Sequence, residues 1–377
     1  MKIETLKYEN KQWQIDENIL DRNKIDIVFI FGDRESIKEK ETYASLRKIY
    51  ADAHIVGCSS SGNILGDELS EASIVGTAIS FVTSNVQVAV KDFLTTDNQE
   101  SIAKELIEEL PKEKLKHIFV LSDGLNMNGS FLAKGANDAV DSTVSITGGL
   151  AGDGMEFKET WVVANDVAKQ NRLVAVGFYG DDLVASAGCY AGWEEFGIFR
   201  RITKSTGNIV YEIDGEPALD LYKKYLGEYA KQLPSTGLEF PFNVKEEKDS
   251  VAVIRSVLAI DEESKSLIFA GDVLEGSYAR LMKSDIDGLI DGSEMAASSI
   301  NQHNESDALG LVVSCVGRRV VLNQLTEEEL EVISETLGKN VQLTGFYSYG
   351  ELAPHSNEIL SCQLHNQTMT LTVIYED

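Results

Sequence analysis

The sequence predicts a mixed α/β protein of two domains. Its sheets are expected to grow from repeated strand–helix–strand units followed by antiparallel hairpins, with helices on the faces. Three observations carry this. A pattern of apolar strand, polar turn, helix, second strand and glycine loop recurs three times along the chain. Strand-like sequence follows each loop, as a mixed sheet requires. And 43% of the 377 residues are hydrophobic, enough to bury the cores of two or three domains.

The first stretch, MKIETLKYENKQWQIDEN, is polar and reads as a lead, residues 1–24. It has no apolar segment of the kind a secretory signal carries. The first unit covers residues 25–63. IDIVFIF is a mainly apolar run that reads as a buried strand, and ends at Gly32-Asp33. A polar, helix-favouring stretch leads to Tyr50, and the short run HIVG enters the loop GCSSSGN. The second unit, residues 117–154, repeats the order with HIFVL, SDG, a helix around FLAKGANDAV, SITG and a glycine loop. The third, residues 308–352, runs ALGLVVS, SCVGRR, helix, VQLTG and GFYSYGEL. In its helix Thr326 and Glu329 have capping-box spacing, Leu330, Ile333 and Leu337 share a face, and Gly338 is placed for the C-cap.

Turn glycine to loop glycine is 25 residues in the first unit (Gly32 to Gly57), 25 in the second (Gly124 to Gly149) and 28 in the third (Gly317 to Gly345). Each loop then reads G-x-x-x-x-G: Gly57 to Gly62, Gly149 to Gly154, Gly345 to Gly350. Between the units, DNQESIAKELIEEL reads as a surface helix and EPALDLYKKYL as a helix with Pro217 at its first position. VAVIRSVLAIDEESKSLIFAGDVL reads as a hairpin with a polar tip at Asp261 to Ser264, and DGLIDGSEMAASSINQ as a helix. The break between halves falls in ITKSTGNIVYEIDGE, giving domains at 25–205 and 206–377.

Composition excludes several classes. The net charge of −27 opposes binding to DNA, RNA or anionic lipid, which needs clustered Lys and Arg. No apolar run approaches the ~20 residues of a membrane span. Four widely spaced cysteines, 58, 189, 315 and 362, read as free thiols of a cytoplasmic protein. GCSSSG has one residue too many for the G-x-S-x-G elbow of a serine hydrolase. It also has Asn63 and Ile64 where a phosphate-binding P-loop carries Lys and Ser or Thr. Cys58 reads as a small buried thiol. The five histidines never fall into HxH or HExxH spacing, and no EF-hand is formed, so no dedicated metal site is expected.

Polar groups gather near the C-terminus. Cys315, Arg318 and Arg319 follow one apolar strand, and Tyr347, Tyr349 and Glu351 follow its partner. If the third unit folds as a parallel pair, both sets leave the same sheet edge, where open α/β sheets bind ligands. Arg318 and Arg319 would clamp a carboxylate, the tyrosines would wall a pocket, and Asn366 and Thr368 of LHNQTM would orient the ligand. The same residues can also be packing and cross-strand hydrogen bonding.

GCSSSGN, SCVGRR, GFYSYGEL and LHNQTMTLT together resemble the FIST family, which pairs an N-terminal with a C-terminal FIST domain. The resemblance runs from about residue 25 to the end. It implies a sensory, ligand-binding module of bacterial signal transduction. Its implied ligands are amino acids or related metabolites. Its implied partners are kinases, cyclic-dinucleotide enzymes or chemoreceptors. In some members haem is bound and nitric oxide sensed. Here His365, inside LHNQTM, and His355 are the residues to test as axial ligands. The expected protein is therefore a non-enzymatic cytoplasmic sensor of a small, carboxylate-bearing metabolite. The alternatives are a haem-based gas sensor, an interaction module without a small ligand, and a thiol enzyme using Cys58 or Cys315.

Overall fold

The structure is a computed structural model that describes residues 1–15, 21–283, 285–300, 306–356 and 359–377. The first unit begins not with a lead but with strands β1 (Lys2–Glu9) and β2 (Gln12–Ile15). Alternation in KIETLKYE puts Leu6 and Tyr8 in the core, so a stretch that reads as polar is a half-buried strand. Parallel β3 (Ile27–Gly32) and β4 (His54–Ser59) follow, joined by α1 (Arg34–Lys38) and α2 (Lys40–Ile49). Asp33 caps α1 through the N–H of Ser36 at 2.8 Å. Beyond the serine loop come β5 (Asn63–Leu65), β6 (Glu68–Ser70) and β7 (Ile74–Ser80).

The second unit holds β8 (Asn85–Asp92), α3 (Gln99–Glu108), β9 (Leu115–Ser122), α4 (Gly129–Asn137) and β10 (Ser145–Leu150). It continues through β11 (Val162–Ala164), β12 (Arg172–Tyr179) and β13 (Leu183–Tyr190). Nine strands between Glu194 and Lys283, β14 to β22, form one sheet that packs with α5 (Ala218–Leu226) into a separate lobe. Its hairpin of Val257–Asp261 and Ser266–Phe269 is the predicted one. The third unit runs α6 (Ile286–Ser298), β23 (Ala308–Cys315), α7 (Val316–Leu322), α8 (Glu328–Leu337) and β24 (Val341–Ser348). It closes with β25 (Gly350–Ser356), β26 (Ile359–His365) and β27 (Met369–Glu376).

Among the described residues the three units build three sheets of one plan: β11-β4-β3-β7-β1-β2, β26-β25-β10-β9-β12-β8 and β6-β5-β24-β23-β27-β13. The parallel pair of each unit lies near the middle. Beside it sits a strand borrowed from another unit. β5, after the first loop, pairs with β24 of the third unit; β25, after the third loop, pairs with β10 of the second; β11, after the second, pairs with β4 of the first. The exchange closes in a ring. One core lies where the three sheets meet, with Phe31 stacked on Phe346 at 4.9 Å and Phe29 edge-on to Phe119 at 5.8 Å. The opposite face of each sheet is covered by helices, so IDIVFIF is buried on both faces and needs no alternation.

The parallel strands approach so closely that only glycine fits at one position in each second strand. A Cβ on Gly57, Gly148 or Gly345 would lie 1.8–1.9 Å from the carbonyl oxygens of Ile30, Val120 and Val312. The structural counterpart of Gly57 and Gly345 is therefore Gly148, and matching glycines by spacing put the second loop one residue late at Gly149. The expected domain boundary at 205/206 falls inside the strand Arg200–Thr206 of the lobe.

The capping-box expectation in the third unit fails. α8 is preceded by Glu327, Thr326 donates its hydroxyl to the Asn323 carbonyl at 2.6 Å, and Glu329 turns inward. The buried cation described below claims that carboxylate. Leu330 and Ile333 are buried, and Gly338 closes the helix at φ +85°, as the pattern predicts.

Candidate ligand site

β23 and β24 run parallel with Cys315 opposite Ser348, so SCVGRR and FYSYGE do leave one sheet edge together. Their side chains then separate into two groups.

The first group is spent inside the protein. Arg318 is fully buried and ion-paired with Glu329 at 2.8 Å. Its Nε donates to Glu329 at 3.0 Å, and its other nitrogens donate to the Ala191 and Leu289 carbonyls and to Ser293 Oγ. Glu329 also accepts from Ser314 Oγ at 3.2 Å and Tyr347 Oη at 2.7 Å. A guanidinium with every nitrogen engaged has no fork to offer a ligand carboxylate. Tyr347 is buried with it, and burial pushes its phenol far up. Arg319 lies over the Tyr347 ring at 5.9 Å and donates to the Ser61 carbonyl, tying the third unit to GCSSSGN.

The serine loop has a similar role. Ser59 Oγ accepts from the Trp161 N–H at 3.0 Å, and Ser61 Oγ donates to the Gly154 carbonyl at 2.9 Å. The Ser61 N–H donates to Tyr347 O at 2.8 Å. GCSSSGN is where the three units are stitched together. Cys58 is fully buried, and burial raises its thiol well above its ordinary value.

Glu351 and Thr368 form a buried pair. Thr368 donates its N–H and hydroxyl to Glu351 at 3.2 and 3.0 Å, and Ser348 donates from the other side at 2.6 Å. Burial outweighs these donors and raises the carboxyl to about 7. His365 is buried, with Nε2 3.2 Å from the Ala353 carbonyl, and burial lowers it to about 4. His355 is exposed on β25.

The second group lines a cavity of about 350 Å³ between the lobe and the three-unit body. Cys315, Tyr349 and Asn366 reach it from the third unit. Leu125, Met127 and Phe157 come from the second unit. Leu238, Ser256, Leu258 and Phe269 come from the lobe. Tyr349 stacks on Phe157 with ring centroids 4.5 Å apart. Its hydroxyl donates to Asp153, whose carboxylate also takes the N–H groups of Phe157, Lys158 and Glu159. Burial alone would raise Asp153, but these donors win and its pKa is lowered. The aromatic wall is thus braced from behind.

Most polar atoms around the cavity are already engaged. Gln99 bridges the Asn126 carbonyl and the Asn128 N–H, Asn128 binds Asp272 of the lobe at 2.9 Å, and Asn208 donates to Phe269 O. Two are not. Asn366 is 1% exposed and its orientation is fixed by Nδ2 donating to the His365 carbonyl at 3.0 Å, which leaves Oδ1 without a partner. Ser256 is 2% exposed and its hydroxyl has no partner either. A buried polar atom left unpaired costs about 1–3 kcal/mol, and two residues that line this one cavity each carry such an atom. No ionised side chain lines that cavity among the described residues.

Sequence reasoning placed Cys315, Tyr349 and Asn366 near a ligand, and the structure brings these three to the cavity wall. It missed Ser256, Phe157 and every lobe residue. Ser256 sits in a plain hairpin with no motif around it, so only the docking of the lobe could reveal it.

A repeated α/β body with an inserted lobe encloses a cavity whose aromatic wall is braced from behind. The chain belongs to the FIST family: the FIST N domain matches residues 26–216 and the FIST C domain residues 218–354. FIST domains are associated with sensing in signal transduction. An uncharacterized protein of Methanocaldococcus jannaschii is 25% identical over 93% of this chain and 73% of its own length. A cyanuric acid hydrolase from A. caulinodans superposes over 95% of this chain and 91% of its own, at 8% identity and a TM-score of 0.37, too low to bear on function.

Proposed function

We propose that this protein is a sensory module that binds a small metabolite in the cavity between lobe and body and reports it to a separate protein. The observation that supports this best is the cavity itself, lined from both lobe and body, in which two lining residues, Asn366 and Ser256, each keep a buried polar atom without a partner. Proteins seldom leave such atoms unpaired, and ligand pockets carry a few polar groups that fix orientation. Ser256 belongs to the lobe and Asn366 to the body. A ligand touching both links its binding free energy to the lobe's position, which is how occupancy becomes a signal. Cys315 borders the cavity, yet burial raises its thiol far above neutrality, which argues against a thiol nucleophile there. Four free thiols agree with a reducing, cytoplasmic setting. A kinase, a cyclic-dinucleotide enzyme or a chemoreceptor is the class of partner we propose.

The test is a thermal-shift assay with a dialysable metabolite extract. The extract raises the melting temperature of the wild-type protein by mass action, and the rise is lost in Leu258→Trp, which fills the cavity mouth. No rise in wild type, or an equal rise in the variant, overturns the proposal.

A further inference from the structure

We infer that the cavity's ligand is an uncharged molecule with an amide-like N–H donor on an apolar body of about one or two rings. This rests on the ligand-binding reading above and narrows it to a chemical class. Asn366 Oδ1 is an acceptor with no partner, while Nδ2 gives one of its two N–H groups to the His365 carbonyl. A donor on the ligand is what would satisfy that oxygen. Ser256 Oγ can accept from that molecule or donate to it.

The rest of the wall combines apolar side chains with uncharged amides that hydrogen-bond within the protein. Phe157 and Tyr349 offer a stacked aromatic pair, and Leu125, Leu258 and Phe157 stand 37%, 41% and 40% exposed at the mouth. The volume of about 350 Å³ lies near the small end of ligand pockets, ~300–1,000 Å³. No Lys, Arg, Asp, Glu or His lines the cavity among the described residues. A carboxylate or an ammonium would be desolvated there with no counter-ion, which is costly. Arg318 cannot serve, being paired to Glu329. Free amino acids, which the family resemblance implies, and the carboxylate that Arg318 and Arg319 suggest in the sequence are thereby disfavoured.

Matched pairs of probes isolate the claim: benzamide against benzoate, and indole-3-acetamide against indole-3-acetate. Each pair keeps the ring and exchanges an uncharged N–H donor for a negative charge. Thermal shifts are read at equal ionic strength on the full chain. The amides are expected to bind about tenfold or more tightly than their carboxylates, since tenfold needs a difference of only ~1.4 kcal/mol. Ser256→Ala should weaken the amide without harming the fold, because its hydroxyl holds no partner. Asn366→Leu should abolish the shift, and Leu258→Trp should block it. Carboxylates binding as well as the amides, with the shift lost in Leu258→Trp, would overturn the ligand class and leave the site standing. An extract that shifts the protein through the cavity while no amide does would have the same meaning. No shift from extract or probes would overturn both.

Discussion

Replacing Arg318 with alanine separates a structural cation from a ligand clamp. The side chain is fully buried and pairs with Glu329, also fully buried, at 2.8 Å. Removing it leaves a carboxylate in the interior with only the Ser293, Ser314 and Tyr347 hydroxyls around it. Breaking one partner of a buried pair costs about 3–5 kcal/mol. Against a total stability of ~5–15 kcal/mol, that is a large fraction. At about 2 °C per kcal/mol the melting temperature should fall by roughly 6–10 °C. Arg319→Ala is the control. It is half-exposed, stacks on Tyr347 and holds one carbonyl, so its loss should cost about 1 kcal/mol. The assay is thermal and denaturant unfolding of both variants beside wild type. Arg318→Ala that melts within a degree of wild type, yet no longer responds to ligand, would refute this reasoning and restore the clamp.

Other outcomes follow from the same geometry. Ser256→Ala should raise the stability of the unliganded protein by up to about 1 kcal/mol, because it removes a buried hydroxyl that nothing satisfies; a clear loss in denaturant melts would show the hydroxyl is used by the fold. Glu351 is raised by burial to about 7 from an ordinary 4.5, so its folded form holds a proton that the unfolded chain releases earlier. Its contribution is therefore fully present below about pH 4.5 and lost as pH rises through 7, a swing of about 3 kcal/mol that Glu351→Gln should flatten in a pH series of melts. Gly148→Ala should cost about 3 kcal/mol or more, since its Cβ would meet the Val120 carbonyl at 1.9 Å on a backbone at φ +147°; a soluble, wild-type-like melt would contradict the proposed strand contact. Cys58 and Cys315, with thiols raised by burial, should resist iodoacetamide at neutral pH in the folded protein and label once unfolded, as followed by mass spectrometry.

The three strand–helix–strand units were legible because their signals are local: doubly buried apolar runs, polar turns, and glycines where parallel strands touch. The strand exchange was not. β5, β11 and β25 each leave their own unit, and nothing in a three-residue strand such as Asn63–Leu65 says which sheet it joins. The lead became β1 because alternate burial of Leu6 and Tyr8 needs a partner strand, β7, that lies some seventy residues on. Position along β23 and β24 gathers Cys315 and Tyr349, and both line the cavity. Arg318 misled because a cation after a strand looks the same in sequence whether it faces a cleft or a buried glutamate eleven residues away. Glu329 likewise sits at capping-box spacing from Thr326, and spacing alone does not distinguish a cap from a buried counter-ion. The lobe's share of the cavity, Ser256 above all, is a product of docking and leaves no trace in the chain.

The most direct test is a crystal structure grown with whichever amide of the matched pairs shifts the protein most. The account predicts density in the cavity between lobe and body, against the Phe157–Tyr349 wall, with the ligand's N–H about 3 Å from Asn366 Oδ1. An empty cavity, or the amide bound elsewhere with Asn366 Oδ1 still unpaired, would contradict it.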